Sequence, residues 1–161
     1  MEKNLIIGRW FSEQKELETD GETSTETRTL NVTEYLKNGA LNSEGHCVVK
    51  TLSDGDKNEL FIKFHISGTW QLDGDSLFEK VDHINGHVEE VFYNDQLITT
   101  DEIRNDLKSK MDAFFPIGTT VEMNIISCTD QKIIYEQKND EGETNIRTMI
   151  KTTKSYSKYF S

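Results

Sequence analysis

The 161-residue chain is acidic, because 29 aspartates and glutamates outnumber 18 lysines and arginines and give a formal net charge of −11. A surface of this charge repels phosphate backbones and anionic lipid, so we expect neither nucleic-acid binding nor attraction to acidic membranes. Apolar runs such as Leu5-Ile6-Ile7 are far shorter than the ~20 residues that span a bilayer, and the chain as given has no recognisable signal peptide. The length suits one domain with one core.

Alternation of apolar and polar residues dominates the chain and predicts β-strands. Strands are predicted over residues 25–33, 41–52, 60–72, 77–84, 87–93, 120–128, 132–137 and 144–153. The most regular stretch is 60–72, which we expect to bend at Gly68 because a glycine in a strand allows a close backbone approach. The sequence therefore predicts an all-β, mainly antiparallel domain, a barrel of about eight to ten strands.

Turn dipeptides separate the predicted strands. Asn38-Gly39, Asp54-Gly55, Asp73-Gly74 and Asn85-Gly86 each stand between two alternating segments. Asn-Gly is the strongest short hairpin signal, because both central residues of a type I′ turn need positive φ. We therefore predict that Asn85-Gly86 joins 77–84 to 87–93 in a hairpin.

One segment has helical spacing instead. Between residues 99 and 115, Ile103, Leu107, Met111 and Phe114 recur at steps of three and four. Thr99 and Glu102 form a capping box, and Pro116 ends the pattern. We predict one amphipathic helix near residues 100–115 that covers or flanks one end of the barrel.

The two cysteines, Cys47 and Cys128, lie far apart in predicted strands. No C-x-x-C pair or Cys/His cluster accompanies them, which argues against a structural zinc site. Two buried free thiols and one disulfide of an exported protein both remain compatible with this pattern.

Two Gly-x-Trp triplets, Gly8-Arg9-Trp10 and Gly68-Thr69-Trp70, carry a family resemblance. The first resembles the opening strand of lipocalins and related calycins. The second, with the following Asp73-Gly74-Asp75 turn, resembles a phrase of bacterial lipocalin-like domains, and residues 127–134 are similar to their late hairpin. The resemblance implies one lipocalin-like domain over 1–161. It also implies that a basic residue of the last strand packs on the tryptophan, with Arg147 as first candidate and Lys151 as second.

The resemblance further implies a non-catalytic binding protein that holds a small apolar or amphipathic ligand, with Trp10 and Trp70 as floor or wall. It suggests a bacterial cell-envelope or periplasmic protein. We assign no catalytic residue, metal or cofactor. The predicted ligand-binding residues are Trp10, Phe64, Trp70, Glu79, Glu90 and Phe92, and the structural motif residues are Gly8, Trp10, Gly68, Trp70 and Arg147.

The predicted hairpin at Asn85-Gly86 places Glu79 and Glu90 on one face. If that face is inward, burial would raise the pKa of both carboxyl groups, and they could orient a polar head group. If it is solvated, they have no such role. The same hairpin directs His83 and His87 to opposite faces, which argues against a metal site. Residues 54–58 copy the start of a calcium loop but lack its later glycine and glutamate, so we predict a polar turn there.

Two alternatives to ligand binding remain. The first is a cell-envelope interaction module with a filled barrel, which meets a protein partner through its acidic outer face or its C-terminal basic and aromatic run. In that run, Lys151, Lys154, Tyr156, Lys158, Tyr159 and Phe160, we expect a last strand with a frayed end. The second alternative is a small hydrolase that uses Glu79 and Glu90, although no Gly-x-Ser-x-Gly elbow or phosphate-binding glycine pattern accompanies them.

Overall fold

A computed structural model describes residues 1–98, 101, 105, 117–139 and 141–156. Within these ranges the chain forms a short helix and nine strands of one antiparallel sheet. They are α1 (Lys3–Ile6), β1 (Gly8–Asp20), β2 (Thr23–Tyr35), β3 (Ala40–Ser53), β4 (Asp56–Asp73), β5 (Ser76–Tyr93), β6 (Gln96–Leu97), β7 (Thr120–Cys128), β8 (Lys132–Lys138) and β9 (Thr144–Thr152). The predicted all-β class is confirmed. The predicted helix near 100–115 lies outside the described residues, apart from Asp101 and Asn105.

The sheet closes into a ring, here called the barrel. Its strands follow the order β4-β3-β2-β1-β9-β8-β7-β5, and β5 pairs back with β4, while β6 adds to the far end of β5. Each strand from β2 to β5 pairs with the strand before it through a short turn, as in a meander. Closure removes most free strand edges at this level of the barrel.

The two seams that close the barrel are short. The β1–β9 ladder runs only from Arg9 to Ser12 on β1, and the β5–β7 ladder only from Ser76 to Lys80 on β5. The β1–β2 ladder, in contrast, covers all of Gly8–Asp20. Eight strands therefore enclose one end of the barrel, and β1 to β5 continue beyond it as a curved sheet.

The enclosed end holds the main core cluster. Trp10 and Trp70 both belong to it, with exposed fractions of 0% and 4%. The indole of Trp10 donates to the carbonyl of Ile6 in α1 at 2.7 Å, and that of Trp70 donates to the carbonyl of Leu36 at 2.9 Å. The other buried members are Ile6, Tyr35, Leu41, Leu77, Met123, Ile125, Ile133, Tyr135 and Met149. The two indoles thus form a floor, with their polar atoms satisfied.

Lys151, rather than Arg147, packs on Trp10. Its ammonium lies 4.3 Å from the centre of the Trp10 ring and donates to the carbonyl of Ile7 at 2.5 Å. The β1–β9 register pairs Trp10 directly with Lys151, so Arg147, four residues earlier on β9, lies further from the floor, beside Glu16. The first candidate from the sequence is therefore wrong, and the second is correct.

The close backbone approach that the sequence predicted at Gly68 is confirmed, and a register shift accompanies it. A β-carbon there would collide with the carbonyl oxygen of Lys80, so only glycine allows β5 to approach this closely. The β4–β5 register shifts at the same point, because Ser67 pairs with His83 while Gly68 pairs with Val81. This bulge leaves one residue of β5 unpaired and bends the strand pair.

The predicted hairpin at Asn85-Gly86 is wrong, because β5 runs unbroken through both residues. The chain turns instead at Asn94 and Asp95, whose φ values are +46° and +65°. Asparagine and aspartate tolerate this left-handed region, so a two-residue turn forms there without glycine. Gly86 lies opposite Phe64 within the β4–β5 ladder.

Candidate functional site in the barrel interior

The inward face of β1 runs from the floor toward an open end. Register with the neighbouring strands places Trp10, Ser12, Gln14 and Glu16 on this face. Trp10 and Ser12 are buried, Gln14 is half-buried and Glu16 is exposed. The interior is therefore closed at the tryptophans and reaches solvent at the level of Glu16.

Hydrogen-bonding side chains form a layer above the floor, which we call the polar belt: Ser12, Asn31, Thr33 and Ser43. The Ser12 hydroxyl donates to Asn31 Oδ1 at 2.6 Å. The Asn31 amide donates to the hydroxyls of Thr33 and Ser43, each at 3.0 Å. Buried polar groups need such partners, and these four satisfy one another.

Glu79 faces the interior from β5, directly opposite Trp70 of β4. The hydroxyl of the buried Tyr35 donates to its carboxylate. Desolvation raises the pKa of Glu79, an effect that the hydrogen bond from Tyr35 partly opposes. Burial, followed by the nearby Glu79 charge, holds the pKa of Tyr35 well above its usual range. Glu79 as a whole residue is half-buried.

The groups that the structure describes next to Glu79 are uncharged. Desolvation and then the charge of Glu79 raise the pKa of Tyr135 to about 12, so its hydroxyl stays protonated at neutral pH. The Gln14 amide lies 3.4 Å from that hydroxyl, and the sulfur of Met149 lies 4.0 Å from the hydroxyl of Tyr35. Among the described residues, no lysine, arginine or histidine forms an ion pair with Glu79.

An ion pair lies at the open end. Arg147 Nη2 lies 2.5 Å from Glu16 Oε1, just beyond the point where the β1–β9 ladder stops. Arg147 Nε is buried and has no hydrogen-bond partner within the part of the chain that the structure describes. The Arg147–Glu16 ion pair thus links β9 to β1 where the two backbones are no longer paired. Arg147 Nε is the buried donor that has no described partner.

A second apolar cluster lines the continuation of the sheet. Its buried members are Cys47, Ile62, Phe64, Val88 and Val91. Phe64 lies between Gly45 and Gly86 in one cross-strand row, and a β-carbon at Gly45 would lie only 2.7 Å from the Phe64 ring. The interior therefore offers apolar walls on both sides of the polar groups.

The predicted site residues divide into two groups. Trp10, Phe64, Trp70 and Glu79 face the interior, but Glu90 and Phe92 lie on the outer face. Two bulges in β5, at the registers Ser67/Gly68 and Phe61/Ile62, each reverse which residues point inward. Phe92 stacks edge-on against Phe61 at 5.9 Å, and Glu90 is exposed. The predicted carboxylate pair is therefore not formed. The polar belt was missed, because Ser and Thr in a strand give no distinctive signal.

The four histidines share the outer face of β3 to β5. His46, Lys63 and His87 form one cross-strand row, His65 lies in the next, and His83 in the one after. The prediction that His83 and His87 face opposite sides is wrong, since no bulge separates them. Even so, no three His, Cys, Asp or Glu side chains in the described ranges come together as metal ligands would.

A groove of about 420 Å³ opens on this histidine-bearing face. Residues along it include Glu44, Lys63, His65, Asn85, His87 and Tyr156. Tyr156 is buried, and its hydroxyl lies 2.8 Å from His46 Nδ1. After β9 the chain thus crosses to β3 and packs there, where the sequence led us to expect a frayed end.

The thiols of Cys47 and Cys128 are both free. Cys47 lies in the second apolar cluster, whereas Cys128 packs against the main cluster at the floor. Burial raises the pKa of both thiols, so neither is activated as a nucleophile.

The sequence matches no protein-family model and no curated protein significantly. In the described part of the chain, no helix is long and apolar enough to cross a membrane.

Proposed function

We propose that this protein is a lipocalin-like, non-catalytic binding protein that holds a small apolar or amphipathic molecule inside the barrel. One observation carries the proposal: side chains on the inward face of β1 change from buried at Trp10 and Ser12 to half-buried at Gln14 and exposed at Glu16. An interior that opens to solvent above an aromatic floor is the arrangement that small-molecule sites favour. The polar belt and Glu79 supply the few polar groups that would orient a ligand.

The hydrolase alternative loses its basis. It needed Glu79 and Glu90 on one face, and these residues face opposite sides of the sheet. The interaction-module alternative retains the groove beside Tyr156 as its candidate surface, and truncation of the C-terminal segment tests it.

Native mass spectrometry of freshly purified protein and fluorescence titration with 12-carbon amphiphiles test the proposal. Trp10 and Trp70 line the interior, so a bound probe should change their emission. We expect Gln14→Phe, which fills the passage between belt and open end, to weaken binding about tenfold or more.

Lys15→Phe is the matched control, because Lys15 is the adjacent residue and points outward. It should leave probe affinity unchanged. Equal affinity in the wild type and Gln14→Phe would contradict binding in the interior.

A further inference from the structure

Glu79 is a carboxylate that has no counter-ion among the residues the structure describes. Tyr35 is its one hydrogen-bond partner among the described residues and engages Oε1. The second carboxylate oxygen has no donor in the described part of the chain, while the residue as a whole is half-buried. An anion removed from bulk water and not paired with a cation is unfavourable, so such a group is rarely kept for stability.

The cations nearest the interior are already engaged elsewhere. Arg147 is held by Glu16 at the open end. Lys151 lies over Trp10 and binds the carbonyl of Ile7, and Lys3 lies 4.9 Å above the ring of Trp70. None of the three pairs with Glu79, so a counter-ion would have to come from outside the described chain.

We propose that the ligand of the interior carries a positively charged amine, which pairs with Glu79, on an apolar body that lies against the aromatic floor. This inference rests on the proposed function and names the class of its ligand. Tyr35 fixes one carboxylate oxygen and leaves the other for the ammonium group. Tyr35 also packs edge-on against Trp70, with 5.5 Å between ring centres, so aromatic rings adjoin the site of the charge. A carboxylate ligand would meet Glu79 as a like charge.

Three probes with the same 12-carbon chain distinguish a preference for a cationic, a neutral or an anionic head group: dodecylamine, dodecanol and dodecanoate. Affinity is measured calorimetrically at pH 7.5 and physiological salt, below the aggregation concentration of each probe. We expect the amine to bind about tenfold or more tightly than the carboxylate, with the alcohol between them. Glu79→Gln should remove most of this preference.

Glu90→Gln is the matched control, because it removes the same charge from the outer face of the same strand. A chain of net charge −11 attracts any amine, and this variant measures that general attraction. We expect it to keep the amine preference. If Glu79→Gln and Glu90→Gln reduce the preference equally, the inference is overturned.

The pH dependence of the wild type provides a test that needs no variant. Because desolvation raises the pKa of Glu79, amine affinity should increase as pH rises through that pKa and the carboxylate ionises. Equal binding of all three probes would overturn the amine inference and leave the proposed function standing. No binding of any probe would overturn both.

Discussion

The ionised form of Glu79 is held in an environment that disfavours it. Its pKa is raised by desolvation, so the folded state binds a proton more tightly than the unfolded chain does. The stability that the protonated group contributes is fully present below the unfolded pKa, and it is lost as pH rises through the raised, folded-state pKa. Above that pKa the protein therefore carries the cost of a buried charge.

Glu79→Gln should raise the melting temperature at pH 7.5. Glutamine keeps an acceptor for the Tyr35 hydroxyl and removes the charge, whose burial without a paired cation is unfavourable. The gain should shrink as pH falls, because the wild-type carboxyl then becomes neutral as well. Thermal unfolding followed by circular dichroism from pH 4 to 8 measures the gain at pH 7.5 and its decrease at lower pH. If Glu79→Gln is less stable than the wild type at every pH, the charge of Glu79 does not destabilise the fold and this prediction is contradicted.

Lys151 contributes to the floor through two interactions, a hydrogen bond to the Ile7 carbonyl and a contact with the Trp10 ring. Lys151→Ala should therefore destabilise the fold by about 2 kcal/mol. Lys132→Ala, at an exposed position on β8, serves as the control and should change stability by less than about 0.5 kcal/mol. Chemical denaturation of both variants measures the difference, and equal effects would exclude a special role of Lys151.

At the scale of elements, β5 shows where sequence patterns stop being informative. Alternation and turn dipeptides predicted the strands from β2 to β4 and the turns between them. In β5 the stronger local signal, Asn85-Gly86, lies within the strand, and the weaker pair Asn94-Asp95 makes the turn. Gly86 instead lies opposite Phe64 in the β4–β5 ladder. Bulges depend on how two strands fit together, so the inward positions of β5 beyond Val81 could not be counted from that strand alone.

The C-terminal segment is packed against the outer face. Truncation after Thr153 removes Tyr156, which is buried and hydrogen-bonded to His46, and should cost about 3 kcal/mol. Tyr156→Phe keeps the ring and should cost only about 1 kcal/mol. Differential scanning calorimetry of the two variants measures these losses. An unchanged melting temperature after truncation would instead favour a segment that is free to meet a partner.

At the scale of the whole molecule, the sequence predicted a closed β-structure with two tryptophans on one inner wall, and the structure confirms both. Gly-x-Trp was informative because a glycine and an indole two residues apart share one face of a strand. The polar belt was not predicted, since Ser12, Asn31 and Ser43 lie on three different strands. Such a constellation depends on the register between strands, which one-dimensional alternation does not contain.

The positions of the two thiols follow from the whole fold and predict their reactivity. Cys47 is buried in the second cluster, and Cys128 is only half-buried. An aromatic disulfide reagent should therefore modify Cys128 first and Cys47 only slowly in the native protein, and both rapidly after unfolding. The intact mass should be the same with and without reductant. A two-hydrogen mass increase on reduction would reveal a bridge.

The short β1–β9 ladder indicates where the barrel can open locally. Separating β1 from β9 breaks the backbone pairing only between Arg9 and Ser12 and loosens the Arg147–Glu16 contact, while the four long ladders from β1 to β5 stay whole. Amide protons at this seam should consequently exchange with solvent sooner than those in the middle of β2 or β3. A bulky ligand would then need no permanent opening, because the barrel wall can separate at the short β1–β9 ladder.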